Sequence, residues 1–303
     1  MEKERQSQGI LAMKTVGDRI FDVINCIVLT ILALVMLYPL LYVVFCSFSD
    51  ADQLTAHTGL LFWPVGYSLK AYESVLSNYY ILTGYRNTVF ILLLGVPTNL
   101  ILTTLGAFVL SRRELEFRRP FMLLIMFTMY FSGGMIPSYF NVKDLGLMNT
   151  YWALVLPGAI STVNLIIMRT SFESIPPSLE ESARIDGAGD FTVLTRIVLP
   201  LSKAVVAVMV LYYGVGHWNS WFSAAIYLNR REMFPLQLIL REILVEDNVS
   251  NMMSTTDSND GFLNLKETIK YATTVVATVP ILCVYPFIQK YFVKGVMIGA
   301  VKG

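Results

Sequence analysis

Charge is scarce. Asp, Glu, Lys and Arg make up 15% of the 303 residues, against a hydrophobic share of 55%, whereas a soluble chain carries about a quarter charged residues. The 23 basic and 22 acidic side chains leave a net charge of +1, which excludes the strongly basic surface of an electrostatic nucleic-acid binder. Cysteine is sparse too. Cys26, Cys46 and Cys283 lie in apolar runs with no common spacing, so neither a disulfide framework nor a zinc site is expected. Two histidines, His57 and His217, are too few for most His-based metal chemistry. The chain also lacks G-x-x-x-x-G-K-[ST], HExxH, G-x-S-x-G and CxxC, and without the first of these it should not hydrolyse ATP by itself.

What it has instead is long runs without charge. The windows 23–49, 87–111, 120–142, 145–168, 204–229 and 271–289 contain no Asp, Glu, Lys or Arg. About 20 mostly apolar residues cross the hydrocarbon core as a helix, and a charge at a span centre costs roughly 2.5–3.5 kcal/mol. The windows therefore predict an all-α integral membrane protein with six transmembrane helices, at about 23–48, 88–110, 120–141, 149–168, 204–228 and 271–290. The first run is too long for a signal-peptide core of about 7–15 residues and reads as an uncleaved span. Pro39, Pro97, Pro137, Pro157, Pro280 and Pro286 fall within the spans, where each removes a backbone donor and can bend its helix.

Lys and Arg set the orientation. Fifteen of them lie in segments 1–22, 111–119, 169–203 and 290–303, and eight in 47–86, 143–150 and 229–270. The short loop with Arg112, Arg113, Arg118 and Arg119 weighs most, because short loops dominate the positive-inside bias. Both termini, 1–22 and 294–303, are expected in the cytoplasm around a membrane domain spanning 23–293. No ionisable residue lies inside a span, and ion-driven carriers commonly need one.

Between the fourth and fifth spans, loop 171–203 carries the sharpest pattern. Pro176-Pro177 end the incoming helix, and Ser178 with Glu181 has capping-box spacing. Ala183 and Ala188 keep the new helix slim, Gly187 or Gly189 can close it, and Asp190 can cap a second segment in which Phe191, Leu194 and Val198 share a side. Pro200 then breaks toward the fifth span. Two short helices around a glycine turn fit either a protrusion filling a partner's groove or a helix lying on the membrane surface.

The stretch Glu181-Ser182-Ala183-Arg184-Ile185-Asp186-Gly187-Ala188, followed by Ile197-Val198-Leu199-Pro200-Leu201, resembles the EAA motif of membrane subunits of binding-protein-dependent ABC importers. Ser182 in place of the middle alanine is its visible departure. Ser68-Leu69-Lys70-Ala71-Tyr72, Arg86-Asn87-Thr88, Trp218-Asn219 and Phe234-Pro235-Leu236 look like the carbohydrate-uptake branch. Tyr130-Phe131-Ser132-Gly133-Gly134 looks like its Gram-positive members that handle complex oligosaccharides.

The resemblance implies the type I importer fold and a permease subunit, sited in a bacterial cell membrane, with no catalytic residue, metal or cofactor. Its partners would be a second homologous permease, a cytoplasmic ATPase dimer, an extracytoplasmic solute-binding lipoprotein and an oligosaccharide. The coupling residues carried over are Glu181, Ser182, Ala183, Asp186, Gly187, Ala188, Leu199 and Pro200. In the family the outer loop 229–270 meets the binding protein; here its stripe from Phe234 to Leu244 has helical spacing and could lie on the membrane, followed by a polar stretch over 246–260. Alternatives are an importer of a non-sugar solute, a secondary carrier, or a polytopic membrane enzyme.

Sugars are held by aromatic faces with amides and hydroxyls at the rim. His217, Trp218, Asn219, Trp221 and Phe222 form the densest such cluster, and Trp218 and Trp221 would share a helical face, being three apart. The same residues equally fit packing or an interfacial aromatic belt. Tyr130, Ser132 and Asn164 are further pathway candidates. His217 is assigned no proton-transfer role.

Overall fold

The computed structural model describes residues 16–245 and 259–300. Among these residues the only extended pairing is an antiparallel bridge between Ser49 and Tyr67; everything else is helix and connection. The chain divides into two compact units, 1–72 with 257–275, and 73–256 with 276–303.

In the first unit, α1 (Val16–Ser47) is an uncharged Val/Ile/Leu run from Val23 onward. At ~1.5 Å per residue it is roughly 48 Å long, more than the ~30 Å hydrocarbon core requires. Its apolar side chains are exposed along most of its length, as a lipid-facing helix needs. Beyond its end the chain is stapled back: Asp50 N–H donates to Val65 O (2.9 Å) and Ser68 N–H to Phe48 O (2.9 Å), while Tyr38 Oη accepts from Leu61 N–H (3.0 Å). Phe48 stacks on Tyr67 at 5.9 Å. Asp50 caps the short α2 (Ala51–Ala56), and Tyr42 meets Tyr271 edge-on at 6.2 Å.

After α3 (Lys70–Ser77), the axis of the second unit is α4 (Tyr79–Ser111). Asn78 caps it, its Oδ1 accepting from Tyr80 N–H (2.8 Å) and Ile81 N–H (3.2 Å). The helix buries an unusual share of polar residues, among them Asn87, Thr88, Asn99, Thr103 and Thr104. Around it lie α5 (Arg118–Tyr130), α6 (Met135–Asp144), α7 (Trp152–Val155), which runs on as a 3-10 turn over Leu156–Gly158, and α8 (Thr162–Glu173). Then come α9 (Pro177–Ile185), α10 (Asp190–Val193), a π segment Leu194–Val198, α11 (Leu199–Leu201), α12 (Lys203–Trp218), α13 (Phe222–Tyr227) and α14 (Leu236–Val245). The last helix, α15 (Asn259–Ala300), contains Pro280 and Pro286.

Among the described residues three helices are long and apolar enough to cross a membrane unaided: Val16–Ser47, Tyr79–Ser111 and Leu265–Val284. Windows 120–142 and 145–168 coincide with bent pairs, while window 204–229 covers only the second half of a third, whose first half lies in loop 171–203; up to six crossings result if each pair is one span. Arg118–Tyr130 and Met135–Asp144 meet at 112°, Trp152–Gly158 and Thr162–Glu173 at 57°, and Asp190–Leu201 and Lys203–Trp218 at 85°. The first bend sits on Gly133-Gly134, with Gly134 at φ 87°, a left-handed conformation that favours glycine. The second follows Pro157.

The third bend corrects the expected break at Pro200. Pro200 lies inside α11, and the turn falls at Ser202 (φ −100°, ψ 17°). Because a proline supplies no N–H, the ladder loosens ahead of it into a π turn in which Leu199 N–H donates to Leu194 O. The expected continuous helix over 204–228 is also interrupted, at Asn219–Trp221 between α12 and α13.

Among the described residues two apolar cores stabilise the second unit. One gathers Phe108, Met122, Leu165, Met168, Phe172, Val193, Leu194 and Met209 around the foot of α4; the other gathers Ile91, Val142, Leu154, Ala224, Tyr227 and Leu238. In α14, Leu236, Ile239, Leu240 and Ile243 are buried, with Leu236 lying against Gly84 of α4. The stripe over Phe234–Leu244 thus packs on protein and does not lie on the membrane. The polar stretch that follows lies, over 246–258, outside the described residues, as do 1–15 of the N-terminal segment and 301–303 of the tail.

Candidate functional site

Loop 171–203 is built around a helix stop. Helix α9 begins with Pro177 at its first position, where the missing N–H costs nothing. No side chain caps it, so the expected Ser178–Glu181 capping box does not form: Pro177 moves the start one residue ahead, and Ser178 Oγ is no longer the cap. Ser178 O instead accepts from Ser182 Oγ (2.8 Å). At the other end Gly187 sits at φ 83°. Gly187 N–H donates to Arg184 O (3.0 Å) and Ala188 N–H to Ala183 O (2.9 Å), the paired bonds of a Schellman stop. Gly189 has φ −75°, and Asp190 opens α10 without capping it; its carboxylate instead pairs with Arg184 at 2.6 Å.

The two sides of this loop differ. Ala183, Ala188 and Leu199 pack against the core at the foot of α4, and Val193, Leu194 and Val198 are buried in it. On the other side Ile185 is 86% exposed, Phe191 73% and Leu179 44%. Phe191 therefore does not share the inner side with Leu194 and Val198. Glu181, Ser182, Asp186 and Pro200 are exposed as well. The carried-over coupling residues thus separate: Ala183, Ala188 and Leu199 anchor the loop, Gly187 shapes it, and Glu181 and Asp186 remain exposed, as are Ile185 and Phe191, of which sequence reasoning placed Phe191 on the inner side and gave Ile185 no role.

A polar strut ties the loop to α4. Arg112, the residue that ends α4, pairs with Glu180 of α9. Its Nε donates to Phe108 O (3.2 Å) and its guanidinium lies 4.4 Å from the Phe108 ring centre. Burial pushes this guanidinium below its ordinary pKa, as does Arg184 nearby, while Asp190 and Glu114 act the other way; it stays a cation at neutral pH. Beside the strut is a cavity of about 270 Å³ bordered by Ser111, Phe172, Glu180, Glu181 and Arg184. Nearby, Glu173 joins Arg118 and Arg169, and Arg169 Nε donates to Leu110 O (3.0 Å).

Among the described residues no hydrogen bond or ring contact joins any two of the six pathway candidates. Tyr130 is 82% exposed and, with Ser132, belongs to the α5–α6 bend. Asn164 is buried in the first turn of α8. Trp218 ends α12, buried, its ring 6.2 Å from Tyr85 and its Nε1 without a partner among the described residues. Asn219 ends that helix exposed. Trp221 precedes α13, 5.4 Å from Phe222 and under the Arg241 guanidinium at 4.0 Å. Since the helix stops between the two tryptophans, the expected shared face does not exist.

What the fold does bring together is a belt of uncharged polar groups between the two cores. Asn99 Nδ2 donates to Ala159 O (2.7 Å) and Gly158 O (3.4 Å), carbonyls at the Pro157 break. Its Oδ1 lies 2.7 Å from His217 Nε2. Thr103 Oγ1 pairs with Tyr213 Oη at 2.6 Å, which also accepts from Ser161 N–H (3.1 Å). Toward the other end, Asn87 Nδ2 donates to Glu232 O and Phe234 O (2.7 and 3.0 Å), its Oδ1 accepts from Tyr151 Oη (3.0 Å), and Thr88 Oγ1 accepts from Leu236 N–H (2.9 Å). These bonds satisfy backbone groups that a hydrocarbon setting would leave unpaired. The signal was legible: Asn87, Thr88, Asn99, Thr103 and Thr104 all punctuate one charge-free window.

Among the described residues this site is a broken helical bundle with an anchored loop whose outer face is exposed. Residues 9–298 match the family described as the binding-protein-dependent transport system inner membrane component, and the chain belongs to that family. It is therefore a membrane-embedded permease component of an ABC transporter, and not an enzyme. Particular relatives sharpen the placement. The chain is 43% identical over 287 residues to the polygalacturonan/rhamnogalacturonan transport system permease protein YtcP of Bacillus subtilis (strain 168), covering 94% of this chain and 99% of that one. It is 41% identical to protein LplC of the same organism, covering 95% and 97%. In three dimensions it is similar, with a TM-score of 0.83 and 36% identity, to a chain in the crystal structure of a bacterial ABC transporter involved in the import of the acidic polysaccharide alginate, covering 92% of this chain and 98% of that one.

Proposed function

We propose that this chain forms half of the membrane pathway for an acidic oligosaccharide. A second permease would complete the pathway, an extracytoplasmic protein would deliver the sugar, and a cytoplasmic ATPase dimer would drive the cycle by pressing on loop 171–203. Both termini would then be cytoplasmic, as the Lys and Arg distribution favours.

The observation that carries the docking role is the exposure of Ile185 and Phe191 (86% and 73%) on a loop whose inner side is fixed to the core by Ala183, Ala188 and Leu199. Large apolar groups held rigidly in the open mark a surface that a partner covers. Acidity of the substrate rests on kinship: polygalacturonan and alginate are both uronic-acid polymers, and proteins named for handling them resemble this chain across more than nine-tenths of its length.

Reconstituted transporter tests both parts. Ile185→Asp with Phe191→Asp should abolish ATP-driven uptake and lower ATPase recovery during purification by at least tenfold, a loss of roughly 1.4 kcal/mol or more of docking energy. Full uptake in the double variant would remove the docking role. Uptake of oligogalacturonides should exceed that of neutral arabino-oligosaccharides; the reverse preference would place the chain with importers of neutral sugars.

A further inference from the structure

A second cavity lies at the start of α5. It measures about 750 Å³ and is lined by Arg113, Arg118, Arg119 and Arg169, with Phe117 and Leu123 among its apolar walls. One carboxylate, Glu173, engages Arg118 and Arg169. Among the described residues Arg113 and Arg119 make no ion pair; Glu114 and Glu116 share their loop but do not line the cavity. The positive end of α5 opens at the same place. Its cap, Phe117, stands at φ 57° and supplies no side-chain acceptor, so the first-turn N–H groups of Arg118 and Arg119 have no intrahelical partner.

Above this cationic floor, α5 turns apolar side chains outward: Phe121 is 49% exposed, Leu123 64%, Leu124 63% and Phe127 53%. A soluble anion would use only the floor. An amphiphile with an anionic head uses both parts, its phosphate among the guanidiniums and its chains along α5. Arginine forks match phosphate oxygens, and basic pockets between spans on the cytoplasmic side suit anionic headgroups. We propose that this cavity binds the headgroup phosphate of an anionic phospholipid, with Arg113 and Arg119 as its principal contacts.

The test uses the assembled transporter, purified in detergent and stripped of lipid. Adding phosphatidylglycerol should raise the melting temperature by several degrees, while phosphatidylcholine and inorganic phosphate at equal concentration should not. Without lipid, R113Q/R119Q should melt with the parent, since both side chains are exposed, yet bind phosphatidylglycerol roughly 30-fold more weakly, from the loss of two cationic contacts. R113K/R119K should recover part of the response. An equal response to phosphatidylcholine, or an undiminished phosphatidylglycerol response in R113Q/R119Q, overturns the proposal. An equal rise with inorganic phosphate does so too, by showing a site for soluble anions. None of these readouts depends on sugar uptake or ATPase docking.

Discussion

Asn99 satisfies three partners with one amide, and the direction of each bond follows from the others. Its Nδ2 donates to the carbonyls of Gly158 and Ala159, so the Oδ1 facing His217 accepts, and His217 Nε2 carries the proton. Gly95 is what lets the imidazole come so close: a Cβ there would stand 2.5 Å from Nε2. Asn99→Leu strands two carbonyls and an imidazole N–H, each worth about 1–3 kcal/mol when buried unpaired, and should lower stability by about 3 kcal/mol in thermal melts of the detergent-solubilised complex. Gly95→Ala should cost about 1–2 kcal/mol by pushing the ring off the amide. Asn99→Asp is not conservative, because a carboxylate cannot donate to the carbonyls. Parental melting of Asn99→Leu would show that the belt does not hold the Pro157 break. This site escaped a reading based on charge because Asn, Thr and Tyr do not interrupt a charge-free window, while the tryptophans that drew attention for their size lie on opposite sides of a helix stop.

At the level of elements, the loop was legible where its signals are local. A glycine after an amphipathic stretch predicts a left-handed stop, and Gly187 is one. The Ser178–Glu181 spacing misled because Pro177 competes for the first helical position, and the π turn before Pro200 arises only when a proline falls inside a helix anchored on both flanks. From this geometry Gly187→Ala should cost about 1–2 kcal/mol through its left-handed backbone, and Gly187→Pro should uncouple ATP hydrolysis from uptake while leaving membrane insertion intact. A bulky side chain at Ala183 should do the same by lifting α9 off the core. The Arg112–Glu180 strut allows a sharper test. Its side chains are 17% and 15% exposed, so either single alanine variant leaves a largely buried charge, at about 2 kcal/mol. The double variant should recover part of that stability but not transport, if the pair transmits force. Uptake at the parental rate in the double variant would limit the strut to a structural role.

For the whole molecule, charge-free windows located the apolar segments but not their shape, since the absence of charge does not register a two-residue kink such as Gly133-Gly134. The bends make topology a physical question. Arg118–Tyr130 and Met135–Asp144 meet at 112°; such a pair can cross the bilayer as one broken span or return to the side it entered. Broken spans need their freed backbone groups satisfied by neighbours, and the Asn99 belt supplies this at the 57° bend between Trp152–Gly158 and Thr162–Glu173. The segments flanking the Arg118–Tyr130 and Met135–Asp144 pair differ in basic charge, with four arginines at 112–119 against Lys143 alone at 143–150. We therefore expect six crossings. In a background with Cys26, Cys46 and Cys283 replaced by serine, single cysteines at positions 113 and 185 should react with a membrane-impermeant maleimide only in inverted vesicles. Cysteines at 59 and 146 should react only in intact cells. A cysteine at 146 labelled from the same side as one at 113 would make the α5–α6 pair re-entrant, reverse the sidedness of every later segment, and leave loop 171–203 facing away from any cytoplasmic motor.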